Sequence, residues 1–172
     1  IELGHMSSRF RLRFKSEDLG EFTLKVPGMH NVLNATAAAA VARELEVPTD
    51  KIRDGLAEYR GVDRRFQLRG EAAGVTVIDD YGHHPTEVRA TLAAARLCEF
   101  KRVHVIFQPH RFTRTQHLMD DFARSFHQAD TVALLDIYAA SEAPIEGVSS
   151  AALADRLRAF GHRGATLAGT ID

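Results

Sequence analysis

The run Asp79–Pro85, with the sequence DDYGHHP, places two carboxylates, a phenol and two imidazoles within seven positions. Such groups can hold a metal ion, exchange a proton with a substrate, or donate hydrogen bonds to an anionic ligand. The β-branched segment VTVI precedes the run, and the helix-favouring segment TEVRATLAAARL follows it. The sequence therefore predicts a cluster of ionisable groups at a strand-to-helix turn.

A second polar run, HRFTR at positions 110–114, follows the apolar segment VHVIF. The guanidinium groups of Arg111 and Arg114 suit the paired oxygens of a carboxylate or phosphate. His110 and His83 can donate hydrogen bonds to the same oxygens. An anion site is the favoured interpretation, and the alternative is that the arginines cap helix ends or pair with the nearby acids Asp120 and Asp121.

A metal site is a competing interpretation, because the same region contains the ligand types Asp80, His83, His84 and His110. Two fixed guanidinium cations at about 4–5 Å would each repel a divalent ion by several kcal/mol, at an effective dielectric constant of about 20. Neither an HxxxH nor a CxxC spacing supports a metal. The metal-dependent phosphoesterase is therefore kept only as an alternative.

The two adjacent aspartates should point to opposite sides while the strand continues. Asp80, nearer the loop, is the functional candidate, and Asp79 is expected to support the turn. His84 precedes Pro85, which suits the first position of a helix, so a structural role is expected for His84.

Further upstream, His30, Asn31 and Asn34 lie at the start of an alanine-rich helical segment. Amide side chains can hydrogen-bond the donor–acceptor edge of adenine, and the alternative for an asparagine here is helix capping. Arg64 and Arg65 follow Gly61 and, taken alone, are typical of a solvated surface.

The elements that position these groups fall into two parts. Residues 9–14 and 20–26 alternate polar and apolar side chains and predict an antiparallel hairpin, followed by two helices that begin near Met29 and at the N-cap Thr49. After Gly61, strands and helices alternate, which predicts an α/β fold with a mostly parallel sheet and helices on both faces. Ligands of such sheets bind beyond the carboxyl ends of the strands, where the runs DDYGHHP, QPHRFTR and YAASEAP all begin.

Composition narrows the class of protein. The chain has 172 residues, of which 45% are hydrophobic and 26% charged, with a formal net charge of −1. These values predict a soluble globular protein with no general attraction to nucleic acid, and no apolar run approaches the roughly 18 residues that span a bilayer. The single cysteine, Cys98, suits a reducing cytoplasm and is expected to pack in the core.

Four runs, in the order GMHNVLNATAAAAVA, GVDRRF, VIDDYGHHPTEV and FQPHRFTR, resemble the Mur ligases of peptidoglycan synthesis. The resemblance extends from about residue 8 to about residue 147. It implies that residues 1–60 form the C-terminal part of a central ATPase domain. Residues 61–172 would form a C-terminal ligase domain of Rossmann-like fold, truncated at its end, in a cytoplasmic bacterial enzyme.

The resemblance also implies an activity, the ATP-dependent ligation of L-alanine to the lactyl carboxylate of UDP-N-acetylmuramate through an acyl phosphate. ATP and Mg²⁺ are the implied cofactors, and no nucleic acid or membrane insertion is expected. The sequence contains no G-x-x-x-x-G-K-[ST] phosphate loop. The Mg²⁺ ligands are therefore expected mainly in the part of the central domain that lies outside this chain, and no residue of this chain is assigned as a metal ligand. The chain alone is expected to be inactive. A muropeptide-recycling ligase of the same superfamily and a non-catalytic anion-binding module remain alternatives.

Residue by residue, the resemblance implies two groups of contacts. The ATP-binding group is His30, Asn31, Asn34, Arg65 and Asp80. The substrate-binding group is Tyr81, His83, His110, Arg111 and Arg114. Within these sets, Arg65, Asp80 and His83 are the expected catalytic residues. A base for the alanine amine is expected, and the sequence does not say which imidazole supplies it.

Overall fold

The computed structural model describes residues 1–4 and 6–170. Its strands are β1 (Glu2–Gly4), β2 (Ser7–Phe14), β3 (Glu17–Leu24), β4 (Gln67–Ala72), β5 (Val75–Asp79), β6 (His104–Phe107), β7 (Thr131–Leu135) and β8 (Ala165–Gly169). Its helices are α1 (Met29–Glu44), α2 (Thr49–Glu58), α3 (Pro85–Leu97), α4 (Phe112–His117), α5 (Met119–Ala123) and α6 (Ser150–Ala159). The chain divides into two compact units, Ile1–Tyr81 with Ala93–Glu99, and Gly82–Leu92 with Phe100–Asp172.

The first unit begins with the antiparallel sheet β1-β2-β3. Alternation of side chains directs Phe10 of β2 and Phe22 of β3 to the same face, where they are cross-strand partners with ring centroids 5.9 Å apart. Both rings are buried. The predicted hairpin is therefore confirmed.

Helices α1 and α2 cover this sheet through an apolar cluster that includes Val32 and Ala35 of α1 and the partly buried Ile52 and Leu56 of α2. Small side chains on α1 permit this close approach. The prediction of Thr49 as N-cap is wrong, because Pro48 occupies that position and Thr49 begins the helix. Cys98 is buried at 2% exposure in the first unit, which confirms its packing role.

Strands β4 and β5 form an antiparallel hairpin of their own, so the expectation that both would join the parallel sheet is wrong for the described residues. The physical reason is the two-residue turn Ala73–Gly74, with φ values of 50° and 75°. Two successive positive φ angles are typical of the turn that matches the twist of a tight hairpin, and Gly74 adopts this conformation without a steric penalty.

The second unit contains the parallel sheet β6-β7-β8. Alternate side chains of these strands, among them Phe107, Val132 and Leu134, point into one apolar core. Helices α5 and α6 contribute Phe122 and Leu153, which are fully buried. The α/β class with a parallel sheet and packed helices is therefore confirmed.

The helices of the second unit differ from prediction in one place. The segment predicted as one helix from residue 115 to 126 is two short helices, interrupted at Leu118, whose φ of −114° is not helical. The predicted serine cap of α6 is confirmed, because Ser149 Oγ accepts a hydrogen bond from the Ala152 amide at 3.1 Å. In residues 1–4 and 6–170, no helix combines the length and apolar character needed to cross a membrane.

Candidate functional site

The loops that follow β6 and β7 are joined at the carboxyl edge of the parallel sheet. The amide of Arg111 donates to the Tyr138 carbonyl at 2.8 Å, and the amide of Tyr138 donates to the Pro109 carbonyl at 2.9 Å. The His110 and Tyr138 rings stack on each other, with centroids 5.4 Å apart and planes 26° apart. Two of the three polar loops that were predicted to converge, QPHRFTR and YAASEAP, are therefore joined at this edge. The third run, DDYGHHP, follows β5 of the antiparallel hairpin, so the prediction that it begins at the end of a parallel strand is wrong.

His110 is held as a neutral imidazole by its neighbours. Arg114 Nη1 lies 3.3 Å from His110 Nδ1. Since a guanidinium can only donate, Nδ1 must accept, and the ring proton of a neutral His110 is on Nε2. Partial burial is the largest cause that lowers the pKa of His110, and the positive charges of Arg114 and Arg111 lower it further. His110 therefore offers one N–H donor to a ligand and adds no positive charge at neutral pH.

His83 belongs to the same unit, and its ring centroid lies 6.0 Å from that of His110. Its amide donates to Glu87 Oε2 at 2.9 Å, and its Nδ1 lies 3.7 Å from the same oxygen. Glu87 thus fixes His83 both through its backbone and through its ring.

Glu87 also completes a capping arrangement at the start of α3. Its Oε2 accepts from the His84 amide at 3.1 Å, and His84 Nδ1 accepts from the Thr86 amide at 3.3 Å. This reciprocal pattern is a capping box with histidine at the N-cap and Pro85 at the first helical position. The structural role predicted for His84 is confirmed.

Arg111 is half-exposed, with 50% of its side chain accessible, and lies 3.9 Å from Glu142. The suggested pairing of the site arginines with Asp120 is wrong, because Asp120 forms a bidentate pair with Arg156 at 2.5 and 3.0 Å. The guanidinium of Arg111 therefore retains donors that face solvent, as a binding role for an anion requires.

In the first unit, Asp80 fastens a turn that carries Arg65. Asp80 Oδ2 accepts from the Phe66 amide at 2.9 Å, and the Tyr81 amide donates to the Arg64 carbonyl at 2.7 Å. Arg64 and Phe66 have φ values of 58° and 48°, which non-glycine residues rarely adopt. Two hydrogen bonds thus hold a strained backbone on both sides of Arg65.

His30 lies against the backbone of Gly28. A Cβ atom on Gly28 would approach the His30 ring to 2.8 Å, and the φ of 99° at Gly28 also disfavours any side chain. Burial is the main cause that lowers the pKa of His30, with Arg65 lowering it and Asp80 opposing the change. His30, Arg65 and Asp80 therefore interact electrostatically within one unit.

The two asparagines behave differently from each other. Asn31 Nδ2 donates to the Pro27 carbonyl at 2.7 Å, so the helix-capping alternative, in which its side chain would accept, is wrong. Asn34 is exposed on α1. The third residue, Tyr81, belongs to the first unit, where the guanidinium carbon of Arg64 lies 4.7 Å from the centroid of the Tyr81 ring. These placements leave the expected roles of all three residues as predictions.

No group of three or more His, Cys, Asp or Glu side chains in the described residues could hold a metal ion. The described donors therefore do not fit a Mg²⁺ site or the metal centre of a phosphoesterase. The guanidinium groups of Arg111 and Arg114 and the imidazole groups of His83 and His110, which suit an anion, gather at the carboxyl edge of the parallel sheet.

Three residues of this edge were not singled out from the sequence: Glu87, Tyr138 and Glu142. Glu87 had a recognisable signal, since an acid three residues after an N-cap is typical of a capping box. Glu142 had none, because it lies in the irregular segment YAASEAP and its contacts depend on the path of the loop.

These features define a class, an α/β domain that presents basic and imidazole side chains beyond the carboxyl ends of parallel strands. The family model "Mur ligase, glutamate ligase domain" matches residues 64–171. The chain belongs to the Mur ligase family.

Individual relatives agree with this assignment. The chain is 63% identical over 172 residues to the UDP-N-acetylmuramate–L-alanine ligase of Solibacter usitatus, covering 100% of this chain and 36% of that protein. It is 63% identical over 150 residues to the ligase of the same name from Koribacter versatilis, covering 87% of this chain and 32% of that protein. The chain thus spans about a third of the length of the curated relatives that it matches.

A solved structure resembles the whole chain. The crystal structure of the UDP-N-acetylmuramate-alanine ligase MurC from Thermotoga maritima superposes with a TM-score of 0.81 at 30% identity. The match covers 98% of this chain and 36% of that one. The α/β fold is therefore that of the corresponding part of a Mur ligase.

Proposed function

We propose that this chain is part of an enzyme that joins L-alanine to the lactyl carboxylate of UDP-N-acetylmuramate at the expense of ATP. The observation that carries the proposal is the edge formed by Arg111, Arg114 and the neutral His110, which suits anionic reactants. The relatives of this name, identical at 63% of positions, support the choice of substrates.

In the proposed reaction, a lactyl carboxylate oxygen attacks the γ-phosphorus of ATP, and ADP leaves as an acyl phosphate forms. The neutral amine of L-alanine then attacks the acyl carbon, and phosphate leaves as the amide forms. Both steps bring several anions together. The main contributions of the protein to catalysis are therefore the positioning of the reactants and the compensation of their negative charge.

In the second unit, Arg111 and Arg114 would bind carboxylate or phosphate oxygens, with His110 donating through Nε2. The alanine ammonium must lose a proton before it attacks. Since Nδ1 of His110 is engaged by Arg114, His83 is proposed as the base. Tyr81, which belongs to the first unit, is proposed as a substrate contact from the resemblance to the family alone.

In the first unit, the turn that Asp80 holds would present Arg65 to the phosphates of ATP. His30, Asn31 and Asn34 would contact the nucleotide, with a neutral His30 suited to hydrogen bonding rather than to charge pairing. Mg²⁺ would neutralise phosphate charge during transfer. Because the described residues do not fit a metal site, its ligands would come from other parts of the full-length enzyme.

The proposal is tested with the purified full-length protein that contains this chain. Phosphate release should require ATP, UDP-N-acetylmuramate and L-alanine together, and mass spectrometry should detect the alanyl product. The 172-residue chain alone should release no phosphate. Phosphate release by the full-length protein that is independent of UDP-N-acetylmuramate would contradict the proposal.

The same assay distinguishes the alternatives. Turnover with UDP-N-acetylmuramate and a preformed free peptide whose N-terminal amine attacks the acyl phosphate, but not with L-alanine, would identify a recycling ligase. Chelator-sensitive hydrolysis of a phosphoester without ATP would identify a phosphoesterase. Nucleotide or UDP-sugar binding without any turnover would identify a binding module.

A further inference from the structure

The loop after β7 is fastened to the segment that carries the site arginines at several points. Besides the backbone bonds of Tyr138 to Pro109 and Arg111, the side chain of Glu142 accepts two hydrogen bonds from Thr113. Glu142 Oε2 accepts from the Thr113 amide at 3.0 Å, and Oε1 accepts from the Thr113 hydroxyl at 2.8 Å. Both carboxylate oxygens of Glu142 therefore accept a hydrogen bond from the same residue, Thr113.

Thr113 lies between the two arginines that the proposed reaction needs. Arg111 is two residues before it and Arg114 follows it directly, so fixing the backbone of Thr113 restricts both side chains. Arg111 has a φ of 74°, outside the range that most residues prefer. A conformation of this kind persists only where surrounding contacts impose it.

The backbone that presents Glu142 is also unusual. Ala140 and Ser141 have φ values of 48° and 70°, and the Glu142 amide donates to the Ala139 carbonyl at 3.0 Å. Two successive left-handed residues without glycine raise the energy of the loop, and the turn that they form directs Glu142 to Thr113. The side chain of Glu142 is only 21% exposed.

The chemistry of Glu142 distinguishes a supporting role from a catalytic one. The hydrogen bonds from Thr113 are the main cause that lowers the pKa of Glu142, so the carboxylate is ionised at neutral pH and cannot donate a proton. Its closest approach to Arg111 is 3.9 Å, too long for a hydrogen bond that would block the guanidinium from a ligand.

We infer that Glu142 is a positioning residue, which holds Thr113 and thereby orients Arg111 and Arg114 toward an anionic substrate. The inference rests on the proposed function, in which those arginines bind the carboxylate or phosphate oxygens of the reactants. It adds a residue from the loop after β7 to the machinery of the site.

The test compares four variants of the full-length enzyme. Glu142→Ala removes both acceptors, Glu142→Gln retains an oxygen acceptor without the charge, and Thr113→Val removes the hydroxyl donor. Glu146→Ala is the matched control, because Glu146 is exposed in the same loop. KM and kcat are measured separately for UDP-N-acetylmuramate, L-alanine and ATP, with the melting temperature of each variant.

For Glu142→Ala we expect KM for UDP-N-acetylmuramate or L-alanine to rise roughly 10-fold or more, with KM for ATP changed less than about 2-fold. In Glu142→Gln, this KM should stay close to the wild-type value. In Thr113→Val, it should lie between the values of the wild type and Glu142→Ala. The inference is overturned if Glu142→Ala matches Glu146→Ala. It is also overturned if all three substrates are affected equally, in parallel with a fall in melting temperature.

A second measurement is independent of ligase activity. Amide hydrogen exchange of Thr113 should accelerate at least about 10-fold in Glu142→Ala, because the amide loses its acceptor, and should stay unchanged in Glu146→Ala. An unchanged rate in Glu142→Ala overturns the positioning role even if the enzyme is active. If the wild-type enzyme does not ligate L-alanine, the proposed function fails, and the exchange rate alone decides whether Glu142 anchors Thr113.

Discussion

Arg114 Nη1 lies 3.3 Å from His110 Nδ1, four residues earlier in the chain. The same guanidinium approaches the His110 carbonyl at 3.4 Å, so Arg114 fixes both the ring and the backbone of His110. Because the interaction requires an unprotonated Nδ1, protonation of His110 would break it. The geometry of the basic edge, formed by His110, Arg111 and Arg114, is therefore coupled to the ionisation of His110.

The first prediction concerns the titration of His110. Its pKa should lie below the ordinary value of 6.5, because burial and the two arginines disfavour the imidazolium. Arg114→Ala should raise that pKa. The measurement is an NMR titration of the His110 ring protons, and a wild-type pKa above 6.5 would contradict the electrostatic account.

Stability should depend on pH accordingly. The folded pKa of His110 is lowered, so below about pH 6.5 the unfolded chain binds more protons than the folded chain. The stability that the neutral form of His110 contributes is therefore fully present above about pH 6.5 and is lost as the pH falls. His30 acts in the same direction. Chemical denaturation of His110→Gln should show a weaker loss of stability between neutral and acid pH than the wild type, and an identical loss would contradict the assignment to His110.

The second prediction concerns the core of the second unit. Phe122 is fully buried and contacts Phe107, with ring centroids 5.5 Å apart. Phe122→Ala should lower the free energy of unfolding by about 3–5 kcal/mol, through lost burial and the cavity that remains. Ile106→Ala is the control, since Ile106 is 74% exposed and should change stability by less than about 0.5 kcal/mol. Equal effects in urea denaturation would contradict the packing described here.

The third prediction concerns Glu87 and the start of α3. Glu87→Ala removes the carboxylate oxygen that accepts from the amides of His83 and His84 and should cost about 1 kcal/mol of stability. Glu87→Gln should retain most of that stability, because glutamine also serves in a capping box. Thermal denaturation provides the measurement, and a glutamine variant as unstable as the alanine variant would exclude the capping role.

The fourth prediction concerns Asp80 and the turn that carries Arg65. Asp80→Ala removes the acceptor of the Phe66 amide, so the strained turn should relax and Arg65 should move. In the full-length enzyme, KM for ATP should rise roughly 10-fold or more, whereas Asp80→Asn, which keeps an oxygen acceptor, should be affected less. Steady-state kinetics provide the measurement. A rise in KM for L-alanine alone would contradict the role in ATP binding and would indicate that Asp80 acts on L-alanine instead.

The sequence predicted the elements that local patterns determine. The alternation in β2 and β3, and the short apolar strands β6 and β7, follow from side-chain periodicity, which a single sequence displays directly. The pairing of β4 with β5 was missed because the turn Ala73–Gly74 has an alanine at its first position, where asparagine, aspartate or glycine is the usual signal.

The residues of the candidate site show the same difference between those that a local sequence pattern indicates and those that it does not. The arginines and imidazoles could be singled out because residue type and position after a strand indicate an anion site, and their roles stay predictions. Tyr138 and Glu142 were missed because their contacts depend on a loop whose left-handed residues, Ala140 and Ser141, carry no turn signal. Contacts between loops distant in sequence are set by tertiary structure and have no local pattern.

The most direct test of the central claim, that Arg114 helps to bind an anionic substrate, is steady-state kinetics of Arg114→Ala in the full-length enzyme. Arg163→Ala serves as control, since Arg163 is exposed and distant in sequence from the basic edge. We predict that kcat/KM for UDP-N-acetylmuramate or L-alanine falls about 10- to 100-fold, as expected for a lost charge-assisted hydrogen bond, while KM for ATP is unchanged. An Arg114→Ala enzyme with the kinetic constants of the Arg163→Ala control would contradict the claim.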